Sequence, residues 1–276
     1  MRKKNDRADF HKKKRTNKHS LKEPLVDSKA FENSESIYGK HAVQAYLETE
    51  KQANKLFIQI GIAGEVISSI IKMAKIKGIV FQEVPKLKLD EMVDGENHQG
   101  VVLTIPPFDY AELEDALQLA SSRGEDPFIL ILDGIVDPHN LGSILRTADA
   151  TGVHGVIIPK RRSVGLTNVV AKTSTGAIEH VPVIRVANIK QVMDQLKEKG
   201  IWIFATDMAG EDMRQWDSHG PIALVIGNEG QGVSELVKKS ADGIVTIPMV
   251  GHVQSLNASV ASAVLMYEVA RHRIGK

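Results

Sequence analysis

The sequence predicts an α/β protein in two parts, a small α/β domain and then a larger one built on a parallel sheet. Strand-like and helix-like segments alternate along the chain, the pattern of βα units. From residue 128 onward the strand segments are near-continuous apolar runs, such as Phe128-Ile-Leu-Ile-Leu132 and Ile222 to Ile226, so their sheet is covered on both faces. Between the two parts, Pro106-Pro107 stiffens the chain and interrupts the alternation.

Residues 1–33 read as a disordered basic tail. Residues 1–22 hold ten Lys or Arg against Asp6 and Asp9, a charge of +8, which leaves −7 for the rest of a chain whose total is +1. Too little apolar surface is available there to offset the entropy of ordering. The tail is either a nucleic-acid arm, its cations releasing counterions from phosphates, or a solubilising extension without a specific partner.

Order begins near Ile37-Tyr38-Gly39, and the small domain covers residues 34–107. His41 to Thr49 has helical spacing, Leu56 to Ile60 reads as a strand, and Glu65 to Lys75 as a helix. Ile79 to Val84 is a second strand, Leu87 to Val93 a short helix, and Gly100 to Ile105 a closing strand. In the larger domain, residues 108–276, Ala111 to Ser122 forms an amphipathic helix. Its strands are Phe128 to Leu132, Gly155 to Ile158, Val181 to Val186, Ile201 to Ala205, Ile222 to Ile226 and Ile244 to Ile247. A length of 276 residues with 42% hydrophobic content suffices for a sizeable core.

The absence of cysteine excludes disulfides, thiolate zinc sites and a cysteine nucleophile, and it fits a reducing, cytoplasmic setting. No apolar run approaches the roughly 20 residues that cross a bilayer, and no apolar segment follows the basic N-terminus as in a secretory signal, so no membrane partner is expected. His139, His219 and His252 lack metal-ligand spacing and read as loop histidines, so no metal is expected.

Ligands of an open parallel sheet sit at the carboxyl ends of its strands. Three loops there carry the chemistry: Asp133 to Ala148, Gly227-Asn-Glu-Gly-Gln-Gly232, and the stretch from Ile247 to Met266. In the last, Asn257 suits a helix N-cap, and a helix beginning there points free N–H groups and its positive dipole end toward an anionic or electron-rich ligand. Ala258, Ser259, Ala261, Ser262 and Ala263 leave room for another helix or backbone to approach closely. The glycine loop is not a dinucleotide fingerprint, which belongs after a first strand with an acidic residue about 20 positions on. A Walker-type phosphate loop is absent from the sequence. Arg146, one turn beyond Gly142, is either a surface ion-pair partner of Asp149 or a grip on a phosphate or hydroxyl.

Together these segments resemble the SpoU (TrmH) family of RNA ribose 2′-O-methyltransferases of the SPOUT superfamily. The family's Asn-x-Gly-x-x-x-Arg-Thr-Ala stands as Asn140 to Ala148, and its Gly-x-Glu-Gly-x-Gly as Gly227 to Gly232. Its Ile-Pro-Met-x-Gly-x-x-x-Ser-Leu-Asn-x-Ser runs intact from Ile247 to Ser259. The small domain is similar to the family's L30e-like substrate-binding domain through Tyr38-Gly39-x-x-Ala42-Val43 and His98-Gln99-Gly100-Val101. The resemblance covers residues 36–273, and the subgroup it looks most like methylates a guanosine of 23S ribosomal RNA. The long basic tail departs from that pattern.

The resemblance implies a SPOUT-type parallel sheet with a C-terminal trefoil knot, S-adenosyl-L-methionine as methyl donor, and a homodimer with its seam on the small face of the last helix. It implies a cofactor pocket at Thr206, Gly227, Glu229, Gly230, Ile247 and Leu256. It also implies Arg146 as the first catalytic choice, with Asn140, Glu229, Ser255 and Asn257 orienting it and the ribose. A transfer RNA target, or a non-catalytic RNA-binding protein on the same scaffold, are the competing expectations. Binding alone does not require Arg146, Glu229, Ser255 and Asn257 together, which argues for the enzyme.

Overall fold

The computed structural model describes residues 36–253 and 255–273, so the basic tail lies outside the described residues. The small unit contains strands β1 (Ser36–Tyr38), β2 (Lys55–Gln59), β3 (Val80–Val84) and β4 (Val101–Thr104), in sheet order β1-β4-β2-β3. β2 and β3 run parallel, and β4 lies antiparallel to both β1 and β2. Alternation along β2 divides the packing between the two faces. Leu56 and Ile58 join Val43 and Leu47 of α1 (Lys40–Leu47) and Ile67 and Ile70 of α2 (Glu65–Ile76), whereas Phe57 meets Leu89 of α3 (Lys86–Met92) on the other side.

The larger unit opens with α4 (Leu113–Arg123) and continues through β5 (Phe128–Asp133), α5 (Pro138–Ala150), β6 (Gly155–Pro159) and α6 (Asn168–Ser174). A 3-10 turn, Ala177–Glu179, precedes β7 (Val183–Val186), followed by α7 (Ile189–Glu198), β8 (Trp202–Asp212) and β9 (Ile222–Gly227). The chain then forms α8 (Glu235–Ser240), β10 (Gly243–Thr246) and α9 (Ala258–Ala270). Every pairing in the six-stranded sheet, order β10-β8-β9-β5-β6-β7, is parallel. Phe128, Leu130 and Leu132 of β5 pack toward α5 and α9, and Ile129 and Ile131 toward α7, so both faces are covered as the continuous apolar runs require.

Three features differ from the sequence expectation. β8 continues to Asp212 rather than ending at residue 205, because β10 pairs with it again beyond a register shift between Ile244 and Val245, with Val245 opposite Glu211. β7 starts at Val183, since the Val181 N–H is taken by the Ala177 carbonyl of the 3-10 turn. The small face of α9 is not wholly free for a second copy. Ala258 and Ser262 are buried within the chain, and Val260 and Tyr267 are the large apolar residues the helix exposes. Among the described residues no helix is long and apolar enough to cross a membrane.

A polar seam joins the two units. The buried Tyr110 hydroxyl donates to Asn54 Oδ1 and accepts the Leu166 N–H at 2.9 Å, while Asn54 Nδ2 donates to the Leu166 carbonyl at 2.7 Å. Arg185 donates to the Ala53 and Asn54 carbonyls at 2.9 and 2.6 Å and lies over the Tyr110 ring. Gly165 is required here, because a Cβ would stand 2.5 Å from Asn54 Oδ1 and 2.6 Å from the Tyr110 hydroxyl.

Candidate active site

The direction of winding reverses in the larger sheet: from β5 the chain proceeds outward through β6 to β7, then returns to build β8, β9 and β10 on the other side. The crevice at the carboxyl ends of β5 and β9 is therefore where an open parallel sheet holds its ligand. Both strands deliver polar groups to it. After β5, the Asp137 side chain accepts the His139 N–H as N-cap and Pro138 occupies the first turn, which starts α5 so that Asn140 is buried at the crevice. After β9, Asn228 Oδ1 accepts the Gly230 and Gln231 N–H groups at 2.9 and 2.7 Å, folding the glycine loop back on itself. Gly227 cannot be replaced there, because a Cβ would stand 2.0 Å from the Gly232 carbonyl carbon.

Asn140, Glu229 and Asn257 close into a triangle. Asn140 Nδ2 donates to Glu229 Oε1 at 2.7 Å, Asn257 Nδ2 donates to Asn140 Oδ1 at 2.9 Å, and Asn257 Nδ2 also reaches Glu229 Oε1 at 3.3 Å. The Ala258 N–H adds a third donor to Glu229 Oε1 at 3.2 Å. Asn257 Oδ1 meanwhile caps α9, accepting from the Ser259 N–H at 2.9 Å, the Val260 N–H at 3.3 Å and the Ser259 hydroxyl at 2.6 Å. Each amide thus has one orientation that satisfies both its oxygen and its nitrogen. Glu229 Oε2 accepts no hydrogen bond among the described residues.

Other residues expected at the site make no hydrogen bond to this triangle among the described residues. Arg146 is exposed on α5, six positions beyond Asn140, about 9 Å along the axis and about 120° around it. Among the described residues it makes no hydrogen bond or ion pair, so the surface pairing with Asp149 is not formed. Ser255 is likewise exposed and without a hydrogen bond among the described residues. Thr206 is half-buried just past Ala205↔Val225, the last paired residues of β8 and β9, so those strands part between Thr206 and Gly227. Gly230 is exposed, whereas Ile247 and Leu256 are half-buried in the segment from β10 to α9.

Sequence reasoning passed over three supporting groups. Asp137 and Asn228 set the two loops, and Asp133 Oδ2 accepts the Ser234 N–H at 2.8 Å to tie them together. The Asp-Pro and Asn-x-Gly signals for the first two were present; nothing local marked Asp133. Beside Thr206, Asp207 is held below the usual carboxylate range, first by its hydrogen bond from Lys238, which fastens α8 to the middle of β8.

Comparisons with known proteins place the chain in a family and support its fold. The model of the SpoU rRNA Methylase family matches residues 127–267, and that of the RNA 2′-O ribose methyltransferase substrate-binding domain matches residues 36–111. A Bacillus subtilis protein named as a TrmH family tRNA/rRNA methyltransferase, YacO, is 51% identical over 238 residues, 86% of this chain and 95% of its own length. A Staphylococcus aureus protein named for the same family is 52% identical over 238 residues, 86% of this chain and 96% of its own. The crystal structure of the SpoU methyltransferase AviRb from Streptomyces viridochromogenes, in complex with AdoMet, superimposes with a TM-score of 0.55 at 23% identity, covering 88% of this chain and 92% of that one.

Proposed function

Since the chain belongs to the SpoU rRNA methylase family, we propose that it methylates the ribose 2′-hydroxyl of a guanosine in 23S ribosomal RNA, with S-adenosyl-L-methionine as donor. The observation that carries this reading is the Asn140–Glu229–Asn257 triangle at the carboxyl ends of β5 and β9. It is a preorganised polar surface at the sheet's ligand crevice, anchored by the three motif loops at once.

The residues proposed for the pocket suit S-adenosyl-L-methionine, the cofactor named for the AviRb structure. Between the parted ends of β8 and β9, Thr206, Gly227 and Gly230 offer backbone groups and little side-chain bulk. The half-buried Ile247 and Leu256 offer apolar surface for an adenine, and Glu229 a carboxylate for a cation. When bound, the cofactor supplies an electrophilic methyl group on a sulfonium. The chain supplies orientation of the ribose and help with its proton. Asn140, Glu229, Ser255 and Asn257 orient the hydroxyl. Arg146 acts on the ribose oxygen or the adjacent phosphate through its fixed charge and forked donors.

Arg146 lies away from the triangle in a single chain, which supports a homodimer in which a second copy brings the two together. The face of α9 that exposes Val260 and Tyr267 is the surface such a dimer buries. A trefoil knot is the reading that joins β10, at the sheet edge beyond β8, to an α9 that packs against α5 and is capped beside Glu229. In this division of labour residues 34–107 bind substrate RNA, residues 108–276 carry cofactor and catalysis, and the tail, residues 1–33, adds salt-sensitive RNA affinity in the cytoplasm. Mapping ribose methylation of ribosomal and transfer RNA in a strain lacking the protein tests the reading. Loss of one 23S guanosine methylation is expected, and loss confined to transfer RNA overturns the target.

A further inference from the structure

We infer that Lys160, Arg161 and Arg162 form a phosphate-binding surface that takes the RNA backbone as it passes from the small domain to the active site. The inference rests on the proposed RNA-methylating function. The three cations are consecutive, between β6 and α6, and both arginines are exposed. None of their side chains makes a hydrogen bond or ion pair among the described residues. The loop carboxylates Asp133 and Asp137 hydrogen-bond the Ser234 and His139 N–H groups and form no ion pair with these cations among the described residues. On a chain whose residues beyond the first 22 sum to −7, three adjacent uncompensated cations form a local positive field suited to phosphate.

Their position gives the field its use. Lys160 Nζ lies 3.0 Å from where a Cβ on Gly78 of the small domain would stand, and the Arg162 carbonyl lies 3.9 Å from the equivalent point on Gly134, beside Asn228 of the glycine loop. The loop therefore bridges the small domain and the active-site crevice. It is also held in place. Lys160 N bonds the Val186 carbonyl at 2.8 Å, Val164 N bonds the Ile135 carbonyl at 2.9 Å, and Leu166 is gripped by Tyr110 and Asn54. Arg162 adopts a left-handed backbone, φ 57°, which a non-glycine residue rarely keeps unless its surroundings impose it.

The test uses the full-length chain with Arg161→Gln and Arg162→Asn combined, since asparagine tolerates the left-handed backbone without the charge. Binding to transcribed 23S ribosomal RNA is measured over a series of KCl concentrations, beside cofactor affinity and the thermal midpoint. The expected result is weaker RNA binding with a log–log salt slope shallower by about 1.4–1.8, two phosphate contacts at about 0.7–0.9 each. Cofactor affinity and thermal midpoint stay at wild-type values. An unchanged slope overturns the surface, whether or not affinity falls. The slope also separates this inference from the one beneath it: a wild-type chain that binds RNA with the expected charge dependence but transfers no methyl group refutes the enzymatic function and leaves the surface standing.

Discussion

Asn140 donates its side-chain amide to Glu229 Oε1 at 2.7 Å although 89 residues of sequence separate them. The bond joins the helix after β5 to the loop after β9, and Asn257 closes the figure from the start of α9. One carboxylate oxygen therefore holds three loops in register. Loss of that oxygen is expected to disturb the groups proposed for cofactor and ribose together.

Glu229→Ala leaves the Asn140 amide, the Asn257 amide and the Ala258 N–H without their shared acceptor. A hydrogen bond to a charged group contributes about 1.5–3 kcal/mol. Single-turnover methyl transfer should fall by about tenfold to a hundredfold, at about 1.4 kcal/mol per factor of ten. A near wild-type rate would remove the triangle from the mechanism.

Arg146→Ala should abolish methyl transfer while cofactor affinity, measured by calorimetry, stays within a few-fold, because Arg146 makes no hydrogen bond or ion pair to the proposed pocket residues among the described residues. Arg146→Lys should fail nearly as badly, since an ammonium lacks the planar fork that can hold two oxygens. Near wild-type transfer by either variant returns Arg146 to the solvated surface.

Tyr110→Phe removes a hydroxyl that donates to Asn54 and accepts from Leu166 across the seam. Burial holds that phenol above its ordinary pKa, against the opposing pull of Arg185, so it serves as a neutral hydrogen-bonding group. Unfolding by denaturant should show a loss of about 1–3 kcal/mol, the cost of leaving buried partners unsatisfied. Proteolysis near Pro106-Pro107 should quicken as the units loosen. Equal stability and equal cleavage would show that the seam is incidental.

His154 should make stability depend on pH. Its Nδ1 accepts the Phe128 N–H at 3.0 Å, so Nε2 carries the proton and donates to Glu125 at 3.0 Å. Burial, the largest influence, lowers its pKa below the ordinary 6.5, against the opposing effect of Glu125. As pH falls below about 6.5 the unfolded chain takes up the proton first, so the stability is full above that pH and is lost progressively below it. Denaturant midpoints from pH 8 to 5 should fall less steeply for His154→Gln than for the wild type, and parallel curves would remove His154 as the cause.

The sequence by itself determined the alternation of strands and helices, the double-sided cover of the larger sheet and the three motif loops, because apolar periodicity and turn chemistry are local properties. It also determined that Asn257 caps the last helix, which the Ser259 and Val260 N–H groups satisfy. Only the tertiary structure decided that Asn140, Glu229 and Asn257 share one carboxylate oxygen, since long-range hydrogen bonds depend on sheet order, and the order β9 beside β5 has no local signature. The same holds for the extension of β8 to Asp212, which exists because β10 pairs with it, and for the burial of Ala258 and Ser262 within the chain. Tyr110 and Asn54 show the limit most clearly: each is unremarkable in its own segment, and their bond arises only where the two cores meet, because a polar group taken from water at that seam must find its partner across it.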